Sequence, residues 1–305
     1  MKVRFWGVRG SIPCPGPLTA KYGGNTISIE VRFDDPDRLV IIDAGSGIRE
    51  LGNYMMANDM PKGPIDTDLF ISHTHWDHIM GFPFFTPIYL PTTKLKIHGP
   101  VSFEQDTLEN VVGGQMTYRY FPVREAELAA AISYFDLKEG LSDLGGGVML
   151  TTKYLNHPIL CLGYRFEHKG KVFCTVYDHE PYQNLFVTDP DDPSYDEAMA
   201  EEGALVAQEQ NDLMEKFFAG ADLLIHDTQY TEAEYHDGKH GWGHTSVEYA
   251  IAAANRAGVK RLALFHHEPM RSDAQIDELA KIHCQPGQPG STEVFFAREG
   301  MEIDL

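Results

Sequence analysis

The residues best suited to do chemistry lie in one short tract, Ile71-Ser72-His73-Thr74-His75-Trp76-Asp77-His78. The apolar run before this tract is typical of a β-strand. Side chains two residues apart on a strand project to the same face, so we expect His73 and His75 to hold one metal ion. Asp77 and His78, which follow after the chain turns, are expected to hold a second. Two adjacent metal ions can activate water for hydrolysis.

Three further candidate ligands each follow a strand-like run later in the chain: His157, Asp178 and His266. Sites in α/β proteins are commonly built from residues that follow the ends of strands. A single His-x-His pair is weak evidence, but an ordered series of such residues predicts a centre with two metal ions. His267 is the alternative to His266, and its other role is to contact a ligand or the substrate.

The string His-x-His-x-Asp-His is the signature of the metallo-β-lactamase superfamily, which this chain resembles over nearly its whole length. The resemblance implies an α/β (α+β) fold, the four-layer αββα sandwich. It also implies two divalent ions bridged by a hydroxide, formed from a water that Asp77 orients or deprotonates. Imidazole and carboxylate ligands suit zinc, with manganese or iron as alternatives. In this resemblance the first ion is held by His73, His75 and His157, the second by Asp77, His78 and His266, and both by Asp178.

Three later segments resemble the corresponding region of ribonuclease Z and its phosphodiesterase relatives: Leu224–Tyr230, Gly243–Ser246 and Lys260–His266. The resemblance implies that His244 protonates the leaving alkoxide and that Asp227 orients His244. A positioned proton donor typically accelerates such a step by about 100-fold to 10,000-fold. The alternative role of His244 is a helix-capping contact beside Thr245. Ribonuclease Z usually carries Glu in place of Asp227 and Ser in place of Thr245.

Other segments resemble small phosphodiesterases that open cyclic phosphates: Phe5–Ser11, Tyr22–Thr26, Leu155–Pro158 and Gly241–His244. We therefore interpret the chain as a phosphodiesterase for a small cyclic nucleotide or another cyclic phosphate. The alternatives are a ribonuclease Z-like RNA-processing nuclease, a glyoxalase-II-like thioesterase, and a non-catalytic nucleotide-binding protein. Four residues are candidates for contact with the substrate phosphate or base, with packing at strand ends as their other role: Arg9, Ser11, Asn25 and Thr26.

The charge of the chain disfavours nucleic acid as a partner. The net charge is −20, from 45 acidic and 25 basic residues, and coating a nucleic acid requires clustered Lys and Arg. The basic, glycine-rich arm with which ribonuclease Z grips transfer RNA has no counterpart here. The expected partner is a small phosphodiester.

The four cysteines show no Cys-x-x-Cys spacing, which favours free thiols in a reducing compartment. The N-terminus lacks the apolar core of a signal peptide, and no 18-residue apolar run occurs in the chain. We expect a cytoplasmic protein with no membrane partner.

All 305 residues are expected to form one domain, with insertions near 101–147 and 181–215. Helices are predicted at about 124–131, 197–218 and 247–257. The aromatic segment 118–121 requires cover, so a homodimer is a further expectation.

Overall fold

The computed structural model describes residues 1–35, 37–100, 106–285 and 291–305. Fourteen strands are found in these ranges. In chain order they are β1 (Lys2–Gly7), β2 (Ser28–Phe33), β3 (Arg38–Ile42), β4 (Asp66–Phe70), β5 (Lys94–Pro100), β6 (Ala131–Leu137), β7 (Gly140–Asp143), β8 (Met149–Leu155), β9 (Cys161–His168), β10 (Lys171–Val176), β11 (Leu223–Asp227), β12 (Arg261–Phe265), β13 (Glu293–Phe296) and β14 (Glu302–Asp304).

The strands form two mixed sheets. The first has the order β14-β1-β2-β3-β4-β5-β6 and the second the order β13-β12-β11-β10-β9-β8-β7. Strands β3 to β6 are parallel to one another, as are β10 to β13, while the remaining pairs are antiparallel. Parallel strands end at the same edge of a sheet, so each sheet brings several strand exits to one edge.

Seven α-helices accompany the sheets in the described ranges: α1 (Ile48–Asn58), α2 (Trp76–Ile79), α3 (Leu108–Val112), α4 (Glu197–Phe218), α5 (Glu232–His236), α6 (Val247–Arg256) and α7 (Asp273–His283). None of them is long and apolar enough to cross a bilayer.

Three apolar cores define the layers. Phe5, Phe166 and Phe265 belong to the core that lies between the two sheets. A second core packs α4, α6 and α7 against the outer face of the second sheet. A third core packs α1 and α3 against the first sheet. Each sheet is therefore covered by helices on one face and by the other sheet on the other face, which is the predicted four-layer αββα sandwich.

Two predicted helices have clear end signals in the structure. Helix α4 spans the predicted residues, and the Asp196 side chain accepts a hydrogen bond from the Met199 amide at its start. Helix α6 is capped by Ser246 in the same way. A side chain that accepts a hydrogen bond from a backbone amide at the start of a helix is a strong local signal. The start of each of these two helices could therefore be predicted from the sequence.

The predicted helix at 124–131 is wrong. The structure has one short 3-10 turn at Glu125–Glu127, and β6 then begins at Ala131. Ala131 pairs with Lys94 of β5 in a parallel register. Alanine favours helix, but this long-range pairing overrides the local preference. Helix α7 was not predicted at all.

The expected insertion near 101–147 is only partly described, because residues 101–105 lie outside the described ranges. Within it, Tyr118 and Tyr120 are 61% and 77% exposed. Dimer formation through this segment stays a prediction.

Candidate metal centre

The candidate ligands lie where the strands of both sheets end. Strand β4 leads to the His73–His78 tract, β8 to His157, β10 to Asp178 and β12 to His266. These exits lie in the two sheets on either side of the central core, and they converge at one edge of the sandwich. The residues are distant in sequence and depend on the tertiary fold for their proximity.

The structure changes the predicted setting of His73 and His75. Strand β4 ends at Phe70, so both histidines lie in the loop after the strand and not on it. Their ring centroids are nevertheless 4.6 Å apart. His75 is the residue before α2, and this helix carries Asp77 and His78 in a buried turn. The helix start therefore separates the first pair of ligands from the second.

The first ligand group contains His73, His75, His157 and Asp178, whose donor atoms all lie within 4.8 Å of one another. His73 Nε2 is 3.4 Å from Asp178 Oδ2. His157 Nε2 is 3.1 Å from His75 Nδ1. Three imidazoles and a carboxylate at this spacing can surround a single divalent ion.

The second group contains Asp77, His78 and His266. His78 Nε2 lies 3.4 Å from Asp77 Oδ2 and 3.3 Å from Asp178 Oδ1. His266 Nε2 lies 3.3 Å and 3.2 Å from the same two oxygens. The two oxygens of Asp178 thus face different groups, which is the arrangement expected of a bridging carboxylate.

A competing group consists of Asp178, Asp227, His244 and His266. Asp227 already has partners, because its Oδ2 accepts from His244 Nδ1 at 2.8 Å and its Oδ1 accepts from the Gln229 amide at 3.0 Å. A metal ion there would compete with these bonds. In the group of Asp77, His78 and His266, the described residues give His78 Nε2 no hydrogen-bond partner. His266 Nε2 contacts Asp77 Oδ2 at 3.3 Å, so its partner belongs to the same ligand group.

Unsatisfied buried atoms test whether this site fits metal ions. His73 Nε2, His78 Nε2 and Asp178 Oδ1 are buried and have no hydrogen-bond partner among the described residues. Leaving a buried polar atom without a partner costs roughly 1–3 kcal/mol. Three such atoms converging on one point, on imidazole and carboxylate groups, fit divalent ions well.

The second nitrogen of three candidate ligands is held by a nearby oxygen. His78 Nδ1 donates to Asp43 Oδ2 at 2.8 Å, and His266 Nδ1 donates to Gln229 Oε1 at 2.9 Å. His157 Nδ1 donates to the Gly243 carbonyl at 3.1 Å. Because each Nδ1 carries the proton, the Nε2 lone pair is directed to the centre.

Sequence reasoning missed these orienting partners. Asp43 is fully buried and also accepts from the amide and hydroxyl of Ser72, each at 2.7 Å. A signal for Asp43 existed, since this acidic residue directly follows β3, the strand next to β4. Gln229 and the Gly243 carbonyl carried no comparable signal, because their contacts join segments far apart in sequence.

Backbone geometry at the centre is unusual. Asp43, Asp178 and His266 have φ angles of 60°, 37° and 61°, in the left-handed region that non-glycine residues rarely adopt. Ser11 also has a positive φ, of 64°. Its amide donates to Asp77 Oδ2 at 2.7 Å.

Two glycines permit close packing against ligand rings. A Cβ atom on Gly10 would lie 2.3 Å from the His266 ring, and one on Gly243 would lie 2.2 Å from the His157 ring. The loops before β2 and before α6 can therefore press against these histidines only without side chains.

The protonation of the first group suits metal binding. Burial lowers the pKa of His157 to about 4 and lowers the pKa values of His73 and His75 as well. These imidazoles are therefore neutral near pH 7, the form that binds metal. Burial raises the pKa of Asp178, but the adjacent imidazoles of His266 and His78 outweigh it and hold the pKa well below its usual range.

His244 lies beside the ligand groups. Its ring stacks on His266 with centroids 4.9 Å apart and an interplanar angle of 24°. Burial lowers its pKa, yet the Asp227 carboxylate and the other nearby acids raise it to about 9. The alternative role of His244, a helix-capping contact, falls to another residue, since Ser246 caps α6.

The structure gives most of the expected substrate contacts internal partners. Arg9 is fully buried and donates to the carbonyls of Gly23, Glu268 and Arg271. Its guanidinium therefore ties loops together, and a substrate contact of Arg9 stays a prediction.

Asn25 and Thr26 also bond within the protein. The Asn25 amide group donates to Glu299 and its oxygen accepts from Ser46. Thr26 is fully buried, and its hydroxyl accepts from the Ser46 amide. Only Ser11 of the four expected residues combines an exposed side chain with a contact to a candidate ligand.

The alternatives His266 and His267 have different surroundings. His267 Nε2 donates to the Ala297 carbonyl at 2.7 Å, and its ring packs against Tyr22 and Phe296. This places His267 in the packed interior, while His266 joins the second ligand group.

Curated relatives match most of the chain. Ribonuclease Z of Lactococcus lactis subsp. lactis is 28% identical over 270 residues, covering 79% of this chain and 83% of that protein. Ribonuclease Z of Thermoplasma acidophilum is 26% identical over 305 residues, covering 90% and 89%. No protein-family model matches the chain.

Solved structures match the fold end to end. The metallo-β-lactamase fold protein YhfI from Bacillus subtilis superimposes with a TM-score of 0.63 at 19% identity, over 99% of this chain and 98% of that one. This chain has the metallo-β-lactamase fold. Human tRNase Z, short form, has a TM-score of 0.62 at 20% identity over 100% and 99% of the two chains. A diphosphatase from the PhnP family has a TM-score of 0.62 at 14% identity over 100% and 97%.

The sequence matches and the shared fold together make the chain a metal-dependent hydrolase. The fold implies divalent metal ions, and the His and Asp groups described above are able to hold them.

Proposed function

We propose that the chain is a phosphodiesterase in which His244 protonates the leaving oxygen. The observation that carries this proposal is the hydrogen bond from His244 Nδ1 to Asp227 Oδ2, 2.8 Å long, at the edge of the ligand groups. This pair is buried, and its atoms are not needed to complete either preferred ligand group.

The seven candidate ligands have distinct proposed roles at the centre. Divalent ions held there, which we propose to be two zinc ions, would supply activated water and polarise the phosphoryl oxygens. Asp77 keeps one oxygen fixed by the Ser11 amide and beside two histidines, a position suited to orienting the attacking water.

His244 has the geometry of a general acid. Its Nδ1 proton is directed to Asp227, so its Nε2 is the nitrogen left to donate to the substrate. Stacking on His266 keeps the ring beside the second ligand group. Expulsion of an alkoxide from phosphorus needs a proton, and a donor fixed by a carboxylate supplies it without reorientation.

A small cyclic nucleotide or another cyclic phosphate is the substrate that the surface favours. Helix α4, in the second insertion, carries exposed Glu201, Glu202 and Glu209. The whole chain has a net charge of −20. Such a surface repels a polynucleotide backbone, whereas a single phosphodiester needs only the centre itself.

RNA processing is the second candidate. It is favoured by the curated relatives, which are named ribonuclease Z and align over most of this chain. The comparisons support this candidate more directly than they support a cyclic phosphate, since their names speak of RNA.

Substitution of His244 tests the proposed acid. His244→Ala should retain two metal equivalents yet lose roughly 100-fold or more in turnover of an alkoxide-leaving phosphodiester. The loss should be much smaller on bis(p-nitrophenyl) phosphate, whose leaving group needs little protonation. His283→Ala, which removes a histidine at the end of α7, is the matched control and should behave as the parent. Equal losses on both substrates, or depleted metal, would show that His244 only positions the site.

A turnover screen separates the two substrate candidates. The metal-loaded protein is offered cyclic mononucleotides and a transfer-RNA precursor, and products are identified by mass spectrometry. RNA binding is measured over a range of salt concentrations. Precursor cleavage with steeply salt-dependent affinity would favour the nuclease, and cyclic-phosphate opening without RNA binding would favour the small substrate.

A further inference from the structure

A cavity of about 440 Å³ opens beside the first ligand group. Ligand pockets in proteins typically span roughly 300–1,000 Å³. The cavity lies between the loop after β8, the loop after β10 and the loop before α6. Its lining includes His157, Glu180, Gln183, Leu185, His240 and Gly243.

The cavity shares residues with the centre. His157 belongs to the first ligand group, and Gly243 accepts the hydrogen bond from His157 Nδ1. His244 follows Gly243 directly. A group bound in the cavity would therefore adjoin both a candidate ligand and the proposed acid, which is where a substituent of the reacting phosphate must lie.

The acidic side chain in the wall is internally satisfied. Glu180 Oε1 accepts from the Tyr235 hydroxyl at 2.7 Å and from the Gly241 amide at 2.9 Å, and Oε2 accepts from the Gly243 amide at 2.8 Å. Glu180 is only 7% exposed. The carboxylate thus fixes the loop before α6, and its charge is balanced by donors within the wall.

Apart from Glu180 and the two histidines, the wall consists of amide and apolar groups, such as Asn156, Gln183, Pro158 and Leu185. The side-chain nitrogen of Asn156 donates to the Glu180 carbonyl and that of Gln183 to the Tyr235 hydroxyl, which leaves the amide oxygens to face a ligand. Among the residues that the structure describes around this cavity, no Lys or Arg is present. A second phosphate would therefore find no Lys or Arg side chain in this wall, whereas a flat heterocycle with hydrogen-bond donors at its edge would find apolar surface and amide oxygens.

We propose that this cavity binds an uncharged nucleobase or similar heterocycle attached to the scissile phosphate, and so sets substrate choice. The inference rests on the proposed phosphodiesterase function and adds the substrate class. It also predicts that the bound substrate ends at one nucleoside on this side, because the described lining offers the next phosphate of a polynucleotide no Lys or Arg.

Leu185 offers a substitution that changes the cavity without disturbing the fold, because it is 93% exposed. Leu185→Trp places a large ring at the cavity mouth. The matched control is Val187→Trp, on the same loop, 38% exposed and outside the described lining. The substrates are the p-nitrophenyl phosphodiesters of thymidine and of methanol, which share a leaving group and differ only by the nucleoside.

We expect Leu185→Trp to lower kcat/KM for the thymidine ester at least tenfold and to leave the methyl ester within twofold of the parent. The control variant should change neither. Calorimetric titration with thymidine monophosphate should show the same tenfold weakening without turnover. If Leu185→Trp has the same ratio of kcat/KM for the thymidine ester to kcat/KM for the methyl ester as the parent, and the same affinity for thymidine monophosphate, the cavity assignment is overturned. If the parent hydrolyses neither ester, the proposed function itself has failed.

Discussion

Two neighbouring regions of the molecule are rich in buried histidine, yet they differ in one respect. In the candidate metal centre, Nε2 of His73 and of His78 has no hydrogen-bond partner within the part of the chain that the structure describes. In the adjacent packed region, His226 Nδ1 donates to the Asp227 carbonyl and His267 Nε2 donates to the Ala297 carbonyl, both at 2.7 Å. The two regions are equally buried, so burial does not distinguish a ligand from a packed histidine. The distinguishing feature is whether the protein supplies a partner.

The pKa values support this lesson. Burial lowers the pKa of His73 in the centre and lowers the pKa of His267 in the packed region to about 3. Both rings are therefore neutral near pH 7. A low histidine pKa alone would not have separated the two regions, whereas the unsatisfied atoms do.

The largest effect is expected at Asp178, which contacts both ligand groups. Asp178→Ala should abolish turnover and lower bound metal from about two equivalents, because the cations would lose their shared anionic ligand. Metal content is measured by plasma mass spectrometry after dialysis. Retention of one tightly bound ion with full activity would contradict the two-metal assignment.

A smaller loss is expected at Asp43, which touches no proposed ion. Asp43→Asn keeps the shape but weakens the acceptor that orients His78. Loss of such an orienting partner typically lowers metal affinity by about 10-fold to 100-fold. Competition with a chromophoric chelator measures this change. Affinity equal to that of the parent would show that His78 is positioned without Asp43.

The smallest functional effect is expected in the packed region. His267→Ala should keep about two metal equivalents, but it should lower the free energy of unfolding by roughly 1–3 kcal/mol, since the Ala297 carbonyl loses its donor. Urea denaturation and metal analysis of the same sample check both parts. Loss of metal with unchanged stability would reverse the roles that we give to His266 and His267.

The sequence predicted the fold and proposed all seven ligands, because both depend on local signals. Strand exits, the histidine tract and helix caps such as Ser246 are readable from neighbouring residues. The strand setting of His73 and the helix at 124–131 were wrong, since loop conformation and the pairing of β6 depend on distant partners. Gln229 and Glu180 were missed for the same reason, whereas Asp43 was missed although its position after β3 was a signal. The one-domain prediction and the dimer remain predictions.

The left-handed residues at the centre limit how far the stability of the protein can be raised there. Each non-glycine residue in such a conformation costs on the order of 1–3 kcal/mol, and Asp43, Asp178 and His266 all adopt it. Glycine would relieve the strain but would remove a proposed ligand or its orienting acid. At these three positions, a change that raises the stability of the fold is therefore expected to lower activity. Attempts to make the enzyme more heat-resistant should leave them fixed and draw their gains from the helical layers instead.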